Sequence, residues 1–175
     1  MHLAIRFGRS RAILVLALAA IILLSGPAAA AEPDSVTGSM TAGGKTYKLT
    51  HVSARRQPSM SDKTKTVVVV LLTDNALPKN VLEDKYRLEL TDLAREGKIH
   101  GVSVTLGLDK KPSGTGWTYA KEFGGAIVNR DDQHSFEPAV FTDTRAEGKL
   151  SGRGTFGDEK WDYTANFKAA ISTLK

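Results

Sequence analysis

Several absences narrow the possibilities for this 175-residue chain. It contains no cysteine, which excludes disulfide bonds, thiol chemistry and a lipid anchor on an N-terminal cysteine. Aromatic residues make up only 7% of the chain, and no apolar run reaches the length of about 20 that a membrane-spanning helix needs. With 41% hydrophobic and 25% charged residues, the composition is that of an ordinary globular domain.

The first 31 residues predict a secretory signal peptide. Three arginines precede an unbroken apolar run of 13 residues, Ala12 to Leu24. As a helix this run is about 20 Å long, which is short of the ~30 Å hydrocarbon core and typical of a signal sequence. The small residues Ala29 to Ala31 predict cleavage before Glu32, or one residue earlier. We therefore expect a periplasmic or secreted protein with no membrane anchor, whose single β-rich domain spans residues 32–175.

The charge of the expected mature domain is close to neutral. Three of the 24 basic residues and none of the 19 acidic ones fall in the first 31 positions, which leaves 21 against 19, a net charge of +2. The remaining basic residues are scattered pairs such as Arg55-Arg56 and Lys110-Lys111. Nucleic-acid binding needs a concentrated basic surface, so we expect no nucleic-acid partner.

The pattern beyond residue 32 predicts a mainly β fold. Gly43-Gly44 separates two segments expected to pair as antiparallel strands, the second of which is expected to continue as one long strand from Thr46 to Arg56. The run Val67–Leu72 lacks polar alternation and predicts a central strand that is covered on both faces. Apolar and polar residues alternate strictly from Trp161 to Ile171, which predicts a strand with one core face. We expect an antiparallel β-barrel or β-sandwich of about seven to eight strands, with the choice between the two left open.

One helix is predicted within residues 79–96. Leu82, Tyr86, Leu90 and Leu93 recur at helical spacing, and Gly97 stands where a helix-terminating glycine belongs. A break near Arg87, giving two shorter helices, fits the pattern as well. The apolar stripe would cover one face of the sheet.

One glycine-rich segment matches a nucleotide-binding motif by its letters alone. Residues 152–157 read G-x-G-x-x-G, but they lie inside a predicted strand rather than between a strand and a helix. The prediction is therefore structural: Gly152 and Gly154 are small residues beneath Trp161 and Tyr163 of the neighbouring strand.

His51, His100 and His134 are the only candidates for metal ligands or general bases in the expected mature domain. They fall on three separate strands, without the close spacing of a zinc site. We expect His51 to be hydrogen-bonded and partly buried, and His134 to be solvated beside Asp131 and Asp132. Ser103 lacks the second glycine and the turn of a nucleophile elbow. No catalytic residue, cofactor site or metal site is predicted.

Three blocks of the chain resemble a loose group of uncharacterised exported bacterial β-domain proteins. They are the hairpin block Gly44–Val52 with "GK…LTH", the strand exit Val70–Pro78 with "LLTD…LP", and the helix exit Leu93–Val102 with "REGK-aliphatic-H". The resemblance covers most of the expected mature chain and implies an exported compartment and a β fold. It implies no activity.

Three functions are compatible with the sequence. The first is an exported, non-enzymatic binding module whose sheet and loops, at 57–65 and 109–116, bind a small apolar ligand or an envelope protein. The second is a metal- or histidine-dependent hydrolase of an envelope substrate that uses His51, His100 or His134. The third is a structural or inhibitory partner of another exported protein, which differs from the first only in what is bound.

Overall fold

The valine-rich segment lies at the centre of the fold, as predicted. The structure is a computed structural model that describes residues 32–84 and 88–173. The predicted signal peptide, residues 1–31, lies outside the described residues. Every residue of Val67–Thr73 is buried, and the segment pairs with a strand on each side.

Ten strands form the framework, and 59% of the described residues are in strands. They are β1 (Ser35–Ala42), β2 (Lys45–Leu49), β3 (His51–Pro58), β4 (Thr66–Thr73), β5 (Gly101–Gly107), β6 (Gly116–Ala120), β7 (Gly125–Asn129), β8 (His134–Phe141), β9 (Arg145–Phe156) and β10 (Glu159–Thr173). Two single turns of 3-10 helix, Lys121–Phe123 and Asp131–Gln133, flank β7.

The strands form two sheets that share one long strand. Sheet A has the order β2-β1-β10-β9-β8, and sheet B has the order β3-β4-β5-β6-β7. The end of β10 joins them, because Ile171–Thr173 pair in parallel with Ala54–Arg56 of β3. All other strand pairs are antiparallel. Strands β7 and β8 do not pair with each other, so the sheet remains open between them.

The main core contains side chains from both sheets. Met40, Leu150, Trp161 and Tyr163 of sheet A belong to the same buried cluster as Val70 and its neighbours in sheet B. The predicted alternation in β10 is confirmed, because its apolar residues from Trp161 to Ala169 are all buried and the polar residues between them are exposed. Packing of large side chains from both sheets fills the interior.

Two short helices cover the outer face of sheet B. They are α1 (Lys79–Glu83) and α2 (Leu88–Arg95), and residues 85–87 between them, including predicted stripe residue Tyr86, are not described. A second buried cluster joins the helices to the sheet and contains Leu71, Val81, Leu90, Ala94, Ile99 and Tyr119. Gly97 ends α2 in a left-handed conformation (φ 71°), as predicted. Neither described helix has the length and apolarity needed to span a bilayer.

The strand count exceeds the prediction for two local reasons. The expected long strand beginning at Thr46 is interrupted at Thr50, where the chain leaves sheet A and enters sheet B. The segment Gly125–Asn129, which follows a paired glycine bend, is a strand in its own right. Its five residues are too few to show a clear alternating pattern in the sequence.

The structural interpretation of the glycine-rich segment is confirmed. Gly152 pairs with Tyr163 and Gly154 with Trp161 across the β9–β10 ladder. A Cβ atom at Gly154 would lie 2.6 Å from Trp161 Cζ2, and one at Gly152 would lie 2.6 Å from Tyr163 Cε1. Only glycine leaves room for these two rings, and the segment runs into a turn rather than a helix.

Candidate functional site

A groove on the outer face of sheet B lies beside both predicted functional loops. We call it the sheet B groove, and its volume is about 150 Å³. Its floor contains Val69 of β4, Ser103 of β5, and Trp117 and Tyr119 of β6.

Exposed apolar side chains stand at the rim of the groove. Met60 is 76% exposed, and Leu88, the first residue of α2, is 69% exposed. Val128 is 59% exposed and lies directly opposite the floor residue Trp117 in the β6–β7 register. Met60 and Leu88, which line the groove, are two of the six large hydrophobic residues that the described part of the chain exposes, whereas Val128 lies outside the lining. The concentration of Met60 and Leu88 around one groove is typical of a binding surface rather than of scattered surface residues.

The two loops named in the sequence analysis form opposite walls of this groove. Ser59, Met60 and Ser61 come from the first loop, and Ser113 to Thr115 come from the second. Thr105 Oγ1 donates a hydrogen bond of 2.9 Å to the carbonyl of Thr115, which ties the second wall to β5. Apart from Met60, the wall residues are polar or glycine, and the floor is largely apolar, the usual arrangement in a ligand site.

Two long polar side chains of β3 also line the groove. The Arg55 guanidinium is buried, and its Nη1 donates to the carbonyls of Leu82 (2.9 Å) and Asp84 (3.0 Å). Gln57 Oε1 is buried without a hydrogen-bond partner among the described residues. An unpaired buried acceptor is costly, so a bound group that brings an N–H or O–H donor would be favoured here.

The interior of the sandwich offers no comparable room at the positions that form its core. Trp161, Tyr163, Met40 and Leu72 are each no more than 2% exposed, and they fill the space between the sheets. Five surface hollows of the described residues lie at the outside of the sheets and along their edges.

A polar network lies at the edge of sheet B where β4 ends and β5 begins. Asp74 accepts hydrogen bonds of 2.8 Å from the backbone N–H and from Nδ1 of His100. The His100 ring stacks on Tyr47 at a centroid distance of 3.6 Å. Tyr47 Oη and Lys45 Nζ both donate to Glu122 Oε1, at 2.8 and 2.9 Å. This network joins β2, β4, β5 and the turn after β6.

Tyr47 and Glu122 of this network are stabilised in the forms present at neutral pH. Burial and the hydrogen bond to Glu122 raise the pKa of Tyr47 to about 12. Burial alone would raise the pKa of Glu122, but the hydrogen bonds from Lys45 and Tyr47 bring it below its usual value. The network therefore combines a neutral phenol with an ionised carboxylate, which suits a structural clamp.

His51 is exposed, so the prediction that it is partly buried is wrong. The reason is the change of sheet at Thr50, which interrupts the alternation that places Tyr47 and Leu49 on one face. Thr50 Oγ1 donates to the carbonyl of Asp74 (2.6 Å), so the 2.9 Å contact with His51 Nδ1 has the imidazole as donor. His51 therefore does not act as a base toward this hydroxyl.

His134 is half-buried, so the prediction that it is solvated is also wrong. Its Nδ1 lies 2.9 Å from Tyr163 Oη, and the ring lies beside Trp161. The glycine at 152 opens the space that the imidazole occupies. Burial lowers the pKa of His134 to about 4, although Asp131 and Asp132 oppose the shift.

The three candidate histidines occupy separate surroundings. His100 is held by Asp74, His51 faces solvent, and His134 lies in sheet A under β9. Within residues 32–84 and 88–173, no group of three or more histidine, aspartate or glutamate side chains is placed to hold a metal ion. The single close carboxylate–imidazole pair among the three is Asp74–His100.

Some site residues were not identified from the sequence. Leu88 and Met60 are isolated apolar residues in polar surroundings, a weak signal of functional exposure. Asp74 follows the central strand and His100 precedes the next antiparallel strand, so their meeting at one sheet edge could have been predicted. The sequence draws attention to Ser103 only as a possible nucleophile and gives no sign that it lies on the groove floor.

Comparison with known proteins yields no relative: no protein-family model, no curated protein and no solved structure matches this chain. The resemblance to exported bacterial β-domain proteins therefore stays a prediction.

Proposed function

We propose that this protein is an exported, non-enzymatic binding module that recognises an apolar side chain of another envelope protein in the sheet B groove. The observation that carries this proposal is the groove itself, with an apolar floor at Val69 and Trp117 and exposed Met60 and Leu88 at its rim. Apolar residues left exposed around one concave site are stabilised when a partner covers them.

The size of the groove favours a protein partner over a small apolar ligand. Pockets that enclose drug-sized molecules measure roughly 300–1,000 Å³, whereas the sheet B groove measures about 150 Å³. That volume suits one large side chain from an extended segment. The backbone of such a segment also supplies N–H donors, one of which would satisfy Gln57 Oε1.

The test is native mass spectrometry of the protein isolated from its own host under conditions that preserve complexes. We expect a processed chain that begins at Glu32 or one residue earlier, together with a bound envelope protein. Replacing both Met60 and Leu88 with aspartate should release the partner, because the charges oppose burial of the rim. Phe156→Asp is the matched control, since Phe156 is 53% exposed but lies outside the groove.

Three outcomes would count against the proposal. A chain that retains the predicted signal peptide would contradict the proposed export. A bound small apolar molecule, found instead of a protein, would contradict the proposal of a protein partner. A partner that the rim variant and the Phe156→Asp control release equally would place the contact elsewhere.

A further inference from the structure

The two loops that form the walls of the sheet B groove account for the net positive charge of the expected mature domain. Residues 57–65 contain Asp62 and two lysines, and residues 109–116 contain Asp109 and two lysines. Each loop therefore carries a net charge of +1, and the rest of residues 32–175 is balanced. The fold brings these distant loops to one groove, so charges that are scattered in the sequence are concentrated in the structure.

The carboxylates near the groove already have partners. No aspartate or glutamate is among the described residues that line it. Asp62 forms an ion pair with Lys65 at 3.4 Å, and Asp109 Oδ1 accepts a hydrogen bond of 3.2 Å from the backbone two residues further on. On α2, Glu89 accepts a hydrogen bond from an asparagine of α1, and Asp92 pairs with an arginine one turn on. The excess positive charge therefore stays at the walls.

Three lysines of the walls have no such partner. The side chains of Lys63, Lys110 and Lys111 are exposed and form no ion pair within the described part of the chain. Lys63 follows the wall residue Ser61 by two positions, and Lys111 precedes the wall residue Ser113 by two. Two residues span at most about 7 Å, so ammonium groups of both walls are within reach of a segment that lies in the groove.

Backbone hydrogen bonds close both loops and fix where these lysines start. In the first loop, the N–H of Ser59 donates to the carbonyl of Lys65 at 2.8 Å. In the second, the N–H of Gly107 donates to the carbonyl of Lys111 at 2.8 Å, and the N–H of Lys110 donates back to the carbonyl of Gly107 at 3.0 Å. Because the loops are ordered before binding, less entropy is lost when a partner arrives.

The backbone of Lys110 is in an unfavourable conformation. Its φ of 66° makes it the one residue other than glycine with a positive φ in the described chain. A residue with a Cβ atom is strained in this left-handed region, which glycine and asparagine occupy more readily. Strained backbone positions cluster at functional sites. The chain therefore has a positive charge at a position where the backbone alone favours a different residue.

We propose that the segment recognised in the sheet B groove is acidic. Its apolar side chain enters the groove, and aspartate or glutamate residues on either side of it pair with Lys63 on one wall and with Lys110 and Lys111 on the other. This inference rests on the proposed function and adds the charge of the partner to it. Exposed ion pairs contribute little affinity each, but they speed association and exclude basic partners.

The width of the groove sets the spacing of the acidic residues. The first loop follows β3 and the second precedes β6, and these strands lie three strand spacings apart in sheet B. At about 4.8 Å per spacing, the walls are roughly 14 Å apart. An extended segment covers this distance in about four residues at about 3.3 Å each. We therefore expect acidic residues two or three positions to either side of the apolar one.

The test is fluorescence anisotropy with four labelled seven-residue peptides with capped termini. The first has a central leucine, a glycine on each side of it and two glutamates at each end. The second and third have glutamine or lysine in place of glutamate, and the fourth has glutamate with serine in place of leucine. We expect the first to bind roughly tenfold more tightly than the second at about 50 mM salt, and this difference to shrink at about 500 mM salt.

Charge variants of the protein test the walls separately. Lys110→Asn removes a charge but suits the left-handed backbone, so it should weaken binding of the first peptide about threefold without lowering the melting temperature. A purely structural role for this lysine predicts unchanged binding. Adding Lys63→Gln and Lys111→Gln should weaken binding roughly tenfold or more. Lys48→Gln is the matched control, because Lys48 is exposed on β2 outside the groove.

The peptides separate failure of this inference from failure of the proposed function. Equal binding of the glutamate and glutamine peptides, abolished in both cases by aspartate at Met60 and Leu88, would overturn the acidic partner and leave the groove as a binding site. Tightest binding of the lysine peptide would do the same. A serine peptide that binds as tightly as the leucine peptide would show attraction of any polyanion and overturn both. Absence of binding by all four peptides would also overturn both.

Discussion

At the scale of single residues, two imidazoles have opposite surroundings. His100 has a carboxylate at Nδ1 and an aromatic ring against its face, whereas His134 has a phenol at Nδ1 and a buried Nε2 with no partner among the described residues. Burial of the His134 ring disfavours its charged form and lowers its pKa, although Asp131 and Asp132 oppose the shift.

We expect the stability of the protein to fall as the pH decreases from 6.5 to about 4 because of His134. Its pKa is depressed in the folded state, so the unfolded chain takes up the proton first and the folded state loses stability through this window. The loss is about 2 kcal/mol after allowance for partial exposure of the ring. Urea unfolding of His134→Gln should show a flatter pH dependence, whereas His51→Gln should retain that of the original protein.

Asp74 should contribute more to stability than an exposed aspartate. Asp74→Ala removes two 2.8 Å hydrogen bonds and leaves the buried His100 without its carboxylate, at a cost of about 2 kcal/mol. Asp143→Ala is the control, because the side chain of Asp143 is 90% exposed although it pairs with Arg56. Chemical denaturation measures the free energy of unfolding of both variants. Equal losses of this free energy would contradict the account.

At the scale of elements, strand β9 is shaped by the aromatic residues of β10. Replacement of Gly154 by alanine should destabilise the protein by roughly 1–3 kcal/mol, because the added methyl group overlaps the Trp161 ring. Ser151→Ala in the same strand should change stability by less than about 0.5 kcal/mol, since Ser151 is only partly buried. Thermal unfolding followed by circular dichroism measures the stability of both variants. Equal melting temperatures would show that β9 can shift away from the Trp161 ring.

Much of the element pattern could be predicted because it depends on local periodicity. The central strand, the alternation in β10 and the glycine that ends α2 each follow from residue spacing. The change of sheet at Thr50 could not be predicted, because it depends on the long-range parallel pairing of β3 with the end of β10. The change of sheet exposes His51. The burial of His134 under β9 could not be predicted for the same reason, because it depends on contacts between distant parts of the chain.

At the scale of the whole molecule, the fold separates a filled interior from an outer surface that carries the sheet B groove. The barrel-or-sandwich prediction describes the two sheets around one core, and the open seam between β7 and β8 leaves the barrel unclosed. The sheet B groove was only partly predictable, because its walls are sequence-local loops while its floor comes from three separate strands. Its exposed rim would be unusual on a surface with no partner.

The most direct test of this account uses the two tryptophans as internal reporters. Trp117 lies on the groove floor, and Trp161 is 2% exposed in the core. With 5-fluorotryptophan at both positions, we expect the envelope extract of the host to shift the fluorine NMR resonance of Trp117 and to leave that of Trp161 unchanged. A saturating extract that moves neither resonance, or moves only that of Trp161, would contradict binding in the sheet B groove.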